Sequence, residues 1–163
     1  MFHDMSELLF TLMAEPPQAI AKIKGSNAHP ALKGQVRFYS FDSGTLMAVH
    51  ITGLPFDEKD VEKSFFGFHI HEGNVCGGNA QDPFADAGSH WNPDHRQHPH
   101  HKGDLPPLPG NHGDALMVFY TDSFTPEETI GHTVIVHSMP DDFTSQPSGN
   151  SGEKIGCGVI KEV

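Results

Sequence analysis

A chain of 163 residues is one domain by size, long enough to bury a core without staples. Its 10 Lys and Arg against 21 Asp and Glu leave a formal charge of −11, which argues against nucleic acid and anionic membrane surfaces as partners. Apolar residues are only 36%, while 17 Gly and 13 Pro imply many turns and long loops, so an all-β domain is favoured over a helical one.

Residues 1–17 are an N-terminal extension. Leu8 to Ala14 is apolar but for Thr11, and far too short to span a bilayer. The flank before it carries Asp4 and Glu7 and no Lys or Arg, the wrong sign for a secretory signal. The stretch reads as a short helix ending before Glu15-Pro16-Pro17, and the protein as cytoplasmic, with export as the alternative. Residues 18–163 read as a single domain of short strands. Ala19 to Lys24 and Gln35 to Ser40 alternate in polarity, and Asp42-Ser43-Gly44 is a tight turn into a strand from Thr45 to Thr52. Phe65 to Glu72, Ala115 to Thr121 and Thr133 to His137 read as further strands. The proline-rich Leu105 to Gly110 suits a sheet edge, because proline cannot donate to a ladder. Asp122 to Gly131 reads as a polar connection, and His50, His95 and His112 as surface or structurally satisfied residues.

The loudest signal is 13 His in one small domain. Residues two apart in a strand share a face, so His69 and His71 of Phe68-His69-Ile70-His71-Glu72 can aim both imidazoles at one point. Gly88-Ser89-His90-Trp91-Asn92-Pro93 follows, then His98, His101 and Asp104 in a loop, and His137 closes an apolar strand. Imidazole suits copper and zinc, and three imidazoles with one carboxylate make a closed tetrahedral zinc set. The pattern points to a two-metal site. A cupin barrel also offers His-x-His on a strand, but it needs a Glu a few residues later, whereas Glu72 follows His71 directly. Nor does a cupin account for the spacing His98-x-x-His101-x-x-Asp104. Cys76 and Cys157 are the only cysteines, and two buried free thiols packing as small apolar groups is the simplest account of them.

Taken together, FHIHE, GSHWNP, a later His, H-x-x-D, V-I-V-H and GCGVI resemble the copper/zinc superoxide dismutases, in the family's order over about residues 18–161. The resemblance implies an eight-stranded Greek-key β-barrel (an immunoglobulin-like sandwich) with long metal-binding loops, copper and zinc as cofactors, superoxide as substrate, and a monomer or homodimer. By position it implies His69, His71, His90 and His137 as copper ligands. His90 would bridge to a zinc held also by His98, His101 and Asp104. His98 and His101 stand closer together than the family's usual spacing, and His100 competes with His101; the three-residue step to Asp104 favours His101. The resemblance further implies a Cys76–Cys157 disulfide closing about half the chain. Asp141 would hold His69 and His98 by their far N–H groups. Where the family has an Arg before the second Cys, this chain has Lys154, which keeps the charge but lacks the bidentate fork. The loop from Ser138 to Glu153 holds no Lys or Arg, so Lys154 is the one cation expected beside copper. The implied activity is superoxide dismutation, with His90 as proton carrier and Lys154 as anion guide. The alternative is a non-catalytic store or delivery module for copper and zinc.

Overall fold

Alternating apolar residues build the strands, and their parity decides which side of the sheet becomes the interior. The computed structural model describes residues 4–59 and 64–163. In chain order the strands are β1 (Ala19–Gly25), β2 (Lys33–Phe41), β3 (Gly44–Thr52), β4 (Phe65–Phe66), β5 (Phe68–His71), β6 (Leu108–Pro109), β7 (Asp114–Thr121), β8 (Thr133–His137) and β9 (Lys154–Glu162). A helix, α1 (Met5–Ala14), precedes them and lies beside β2, and a one-turn helix, α2 (Pro126–Thr129), precedes β8. No helix among the described residues is long and apolar enough to cross a membrane.

Seven strands form one antiparallel sheet in the order β5-β8-β9-β1-β2-β3-β7, and β4 pairs with β6 in a separate short ladder. That ladder closes the barrel, because β6 lies beside β7 at one sheet edge while β4 runs on into β5 at the other. β9 returns to lie beside β1, as a Greek key requires.

Phe65 to Glu72 reads as one strand in the sequence; the structure breaks it at Gly67. The Gly67 amide donates to the Met139 carbonyl at 2.7 Å, and its own carbonyl accepts from the His137 amide at 2.8 Å. A Cβ there would stand 2.8 Å from the Ser151 Cβ, so a side chain is excluded. With β4 and β5 counted as one interrupted strand, the nine segments among the described residues make eight strands. Asp122 to Gly131 is likewise not all loop, since α2 forms within it and the Glu128 carboxylate accepts from the Thr125 amide at 2.8 Å.

The interior is filled by Ala21 and Ile23 of β1, Phe38 of β2, Val49 and Ile51 of β3, Phe68 and Ile70 of β5, and Val134 and Val136 of β8. Trp91, Leu105 and Phe124 seal it from the loops. Each large side chain so buried contributes about 1.5–3 kcal/mol. A smaller cluster lies outside β8 and β9, where Phe84 and Ala87 pack on Ile135 and Cys157. The Cys76–Cys157 disulfide, with Cα atoms 5.7 Å apart, ties the loop to β9 at that point, so the free-thiol account of the two cysteines does not hold.

Candidate metal centre

The parity that buries Ile70 and Val134 sends His69, His71 and His137 the other way, to the outside of the barrel under its loops. In the β5–β8 ladder His69 stands opposite Ile135 and Ile70 opposite Val134. The free edge of β5 is covered by loop backbone. Ile70 donates to Gly103 at 2.9 Å, Trp91 donates to Ile70 at 2.8 Å, and Glu72 donates to Ser89 at 2.9 Å. Trp91 turns into the core, so its neighbour His90 turns outward to face His71, and Asp104 comes to lie beside His69.

The result is two overlapping groups. Ligand atoms of His69, His71, His90 and His137 lie within 4.8 Å of one another, and so do those of His90, His98, His101 and Asp104. His90 belongs to both. Exposed His100 stands outside both groups, while half-buried His101 is drawn in.

Hydrogen bonds on the far side of each ring fix which nitrogen carries a proton. His69 Nε2 donates to Asp141 at 2.7 Å, His71 Nδ1 to the Gly88 carbonyl at 2.9 Å and His137 Nδ1 to the Gly152 carbonyl at 3.3 Å; His90 Nδ1 stands 2.7 Å from Asp104 Oδ1, on the side of the ring where a metal in the second group would replace its proton. In a neutral imidazole the remaining nitrogen is a lone pair. Four lone pairs therefore converge: His69 Nδ1, His71 Nε2, His90 Nε2 and His137 Nε2. Two of them, His71 Nε2 and His137 Nε2, stand only 3.3 Å apart, and His69 Nδ1 and His90 Nε2 are buried with no hydrogen-bond partner among the described residues. Buried polar atoms are nearly always satisfied, so this set calls for a cation.

The second group repeats the pattern. His98 Nε2 donates to Asp141 at 2.9 Å, leaving His98 Nδ1 without a hydrogen bond, 3.1 Å from Asp104 Oδ2. His101 Nδ1 is also buried and unbonded, 3.3 Å from the same oxygen. Asp104 is steadied by the His101 amide at 2.9 Å. Three imidazoles and one carboxylate suit zinc. Asp141 thus spans both groups, one oxygen to His69 and the other to His98.

Burial favours the neutral form of three of the copper-side rings. It lowers His69, takes His71 well below the usual histidine value and takes His137 to about 3, with the neighbouring rings adding to the effect. Burial alone would raise the Asp141 carboxyl, but bonds from the His69 ring, the Phe143 amide and the His98 ring outweigh it and hold the group at about 2. The anionic oxygens and neutral rings are the protonation states a metal requires.

A cavity of about 1010 Å³ opens onto His71, His90 and His137. Lys154 lines it, paired across the ladder with His137, but it is not the lone cation expected from the sequence: Arg96 also lines the cavity. Nor is Lys154 unpaired, because its Nζ donates to Asp82 at 2.6 Å. Sequence reasoning missed Asp82. It also missed Gln146, whose side chain accepts from the His98 amide at 3.0 Å and donates to the His98 carbonyl at 2.7 Å. No local pattern announces either, since the partners are 72 and 48 residues away.

Comparison with known proteins agrees with this geometry. The family model for copper/zinc superoxide dismutase (SODC) matches residues 32–160. The chain is 31% identical over 150 residues to superoxide dismutase [Cu-Zn] 2 of Aquifex aeolicus, covering 83% of this chain and 82% of that one. It is 33% identical over 164 residues to the extracellular superoxide dismutase [Cu-Zn] of Drosophila melanogaster, covering 89% and 85%. The solved Cu/Zn superoxide dismutase of Brucella abortus superimposes with a TM-score of 0.72 at 25% identity, covering 88% of this chain and 99% of that one. The chain belongs to the copper/zinc superoxide dismutase family, an oxidoreductase with copper and zinc as its cofactors.

Proposed function

We propose that the protein dismutes superoxide to dioxygen and hydrogen peroxide, with His69, His71, His90 and His137 holding copper and His90, His98, His101 and Asp104 holding zinc. The observation that carries the reading is the convergence of four imidazole lone pairs, three of them on rings that line a cavity. When bound, copper supplies the one-electron couple that oxidises one superoxide and reduces a second, while zinc has no redox chemistry. The chain's own residues do the rest. His90 Nδ1 faces the second group, so its Nε2 is free to take a proton during one half of the cycle and deliver it to the nascent peroxide in the other. A second proton comes from solvent. Asp141 holds His69 and His98 in fixed tautomers, a role that commonly tunes both affinity and orientation. Lys154 supplies positive charge on the wall of the cavity.

A store or delivery module would be expected to cover its metal. The cavity reaching His71, His90 and His137 supports turnover instead. The test is superoxide decay after pulse radiolysis, with protein loaded with copper and zinc beside protein loaded with zinc alone. Fast decay, first-order in superoxide and proportional to protein concentration, is expected only in the copper-loaded sample. Decay no faster than the zinc-only sample, at one copper per chain, would leave a metal-binding protein without this activity.

A further inference from the structure

Lys154 is held by a carboxylate that is itself held. Asp82 Oδ2 accepts from Lys154 Nζ at 2.6 Å, and Asp82 Oδ1 accepts from the Phe84 amide at 3.0 Å. The Asp82 amide donates to the Asn79 side chain at 3.0 Å, and its carbonyl accepts from the Asn79 amide at 2.9 Å. The loop that carries this turn is pinned to β9 twice, by the Cys76–Cys157 disulfide and by the Asp82–Lys154 ion pair. The lysine side chain is only 16% exposed and the carboxylate 39%, so the pair is not a loose surface contact. Its surroundings carry their own charges: Glu72, Glu153 and Arg96 line the same cavity.

Two consequences follow from elementary electrostatics. A lysine ammonium is a point charge on a flexible stem, and without a partner it would sample many positions. A carboxylate at hydrogen-bond distance fixes that position, but it also cancels most of the field an approaching anion feels. We propose that Asp82 is the positioning residue of Lys154 and that it attenuates the attraction of that lysine for an anion entering the histidine-lined cavity. The inference rests on the reading that copper occupies the four-histidine group. It goes beyond that reading by making the paired carboxylate, not the lysine alone, the determinant of anion capture.

The experiment is an azide titration of the copper- and zinc-loaded full chain, read by the azide-to-copper charge-transfer band. The variants are Asp82→Asn, Lys154→Met and the double substitution, each checked for metal content. Removing the carboxylate leaves an uncompensated cation, so D82N should bind azide about three- to tenfold more tightly. K154M leaves an uncompensated anion and should bind it weaker by a similar factor. The double variant removes both charges and should return to within about twofold of the natural protein. Added salt should weaken azide binding to D82N more steeply than to the natural protein, which a merely structural role for Asp82 would not produce. Azide affinity of D82N equal to or below that of the natural protein would overturn the inference, and so would a double variant as weak as K154M. A charge-transfer band missing from the natural protein would overturn the copper assignment and this inference with it, and that failure is visible before any substitution is made.

Discussion

The two faces of the β5–β8 ladder are built from alternate residues of the same strands, yet they obey different physics. On the inner face Phe68, Ile70, Val134 and Val136 bury apolar area, which is favourable whatever the pH or metal content. On the outer face His69, His71 and His137 bury polar nitrogens whose lone pairs point at one another. That arrangement is unfavourable until a cation enters. One strand pair thus carries both a contribution to folding and a debt that only metal removes.

The largest effect that would break this contrast is on metal itself. Chelating copper and zinc should lower the melting temperature by about 10 °C or more, because binding free energy at the outer face adds to folding. Unchanged melting after verified metal loss would mean that the outer face bears no such strain. Phe68→Ala, on the inner face, should cost about 3–5 kcal/mol, and by the same amount with and without metal. A cost that depends on metal would show the two faces to be coupled.

Acid sharpens the comparison further. His69, His71 and His137 have folded values below the ordinary 6.5, so the unfolded chain binds more protons than the folded one as pH falls through that value. Metal-free stability should therefore drop from about pH 6.5 downward, by up to about 4 kcal/mol per pH unit for three protons. His137 continues the loss toward pH 3, and Asp141 adds to it below its ordinary 3.8. Urea midpoints of the metal-free protein between pH 7.5 and 4.5 would show this, and a flat profile would contradict it. Asp141→Asn should weaken metal binding by on the order of 10–100-fold, measured by competition with a chelator. The smallest effect belongs to Gln146→Leu. It removes two bonds to the His98 backbone, costing about 1–3 kcal/mol, and should speed zinc release more than copper release. Equal release rates would show that Gln146 does not support the second group.

Much of the fold and of the histidine set was legible because a strand's period is two. His69 and His71 must share a face, and Val134 and Val136 must oppose His137, whatever the rest of the chain does. The break at Gly67 was not legible, because it depends on the backbones of Met139 and His137 some 70 residues on. His100 and His101 are neighbours in one loop, and periodicity cannot rank them; the turn that ends on the Asp104 carboxylate selects His101. Asp82 looked like any acidic loop residue, and only tertiary contact reveals that it answers Lys154. Gly149 is invisible in the same way. Its φ is +65°, and any Cβ there would collide with the Asp141 carboxylate and His98 Nε2, so the loop can press on that pair only with glycine.

The central claim is that two different metals sit on either side of His90. Anomalous diffraction from crystals of reconstituted protein, collected at the copper and zinc absorption edges, tests it most directly. The account predicts a copper peak among His69, His71, His90 and His137, and a separate zinc peak among His90, His98, His101 and Asp104, with the His90 ring between them. A single peak, or both metals scattered equally over the two positions, would contradict it.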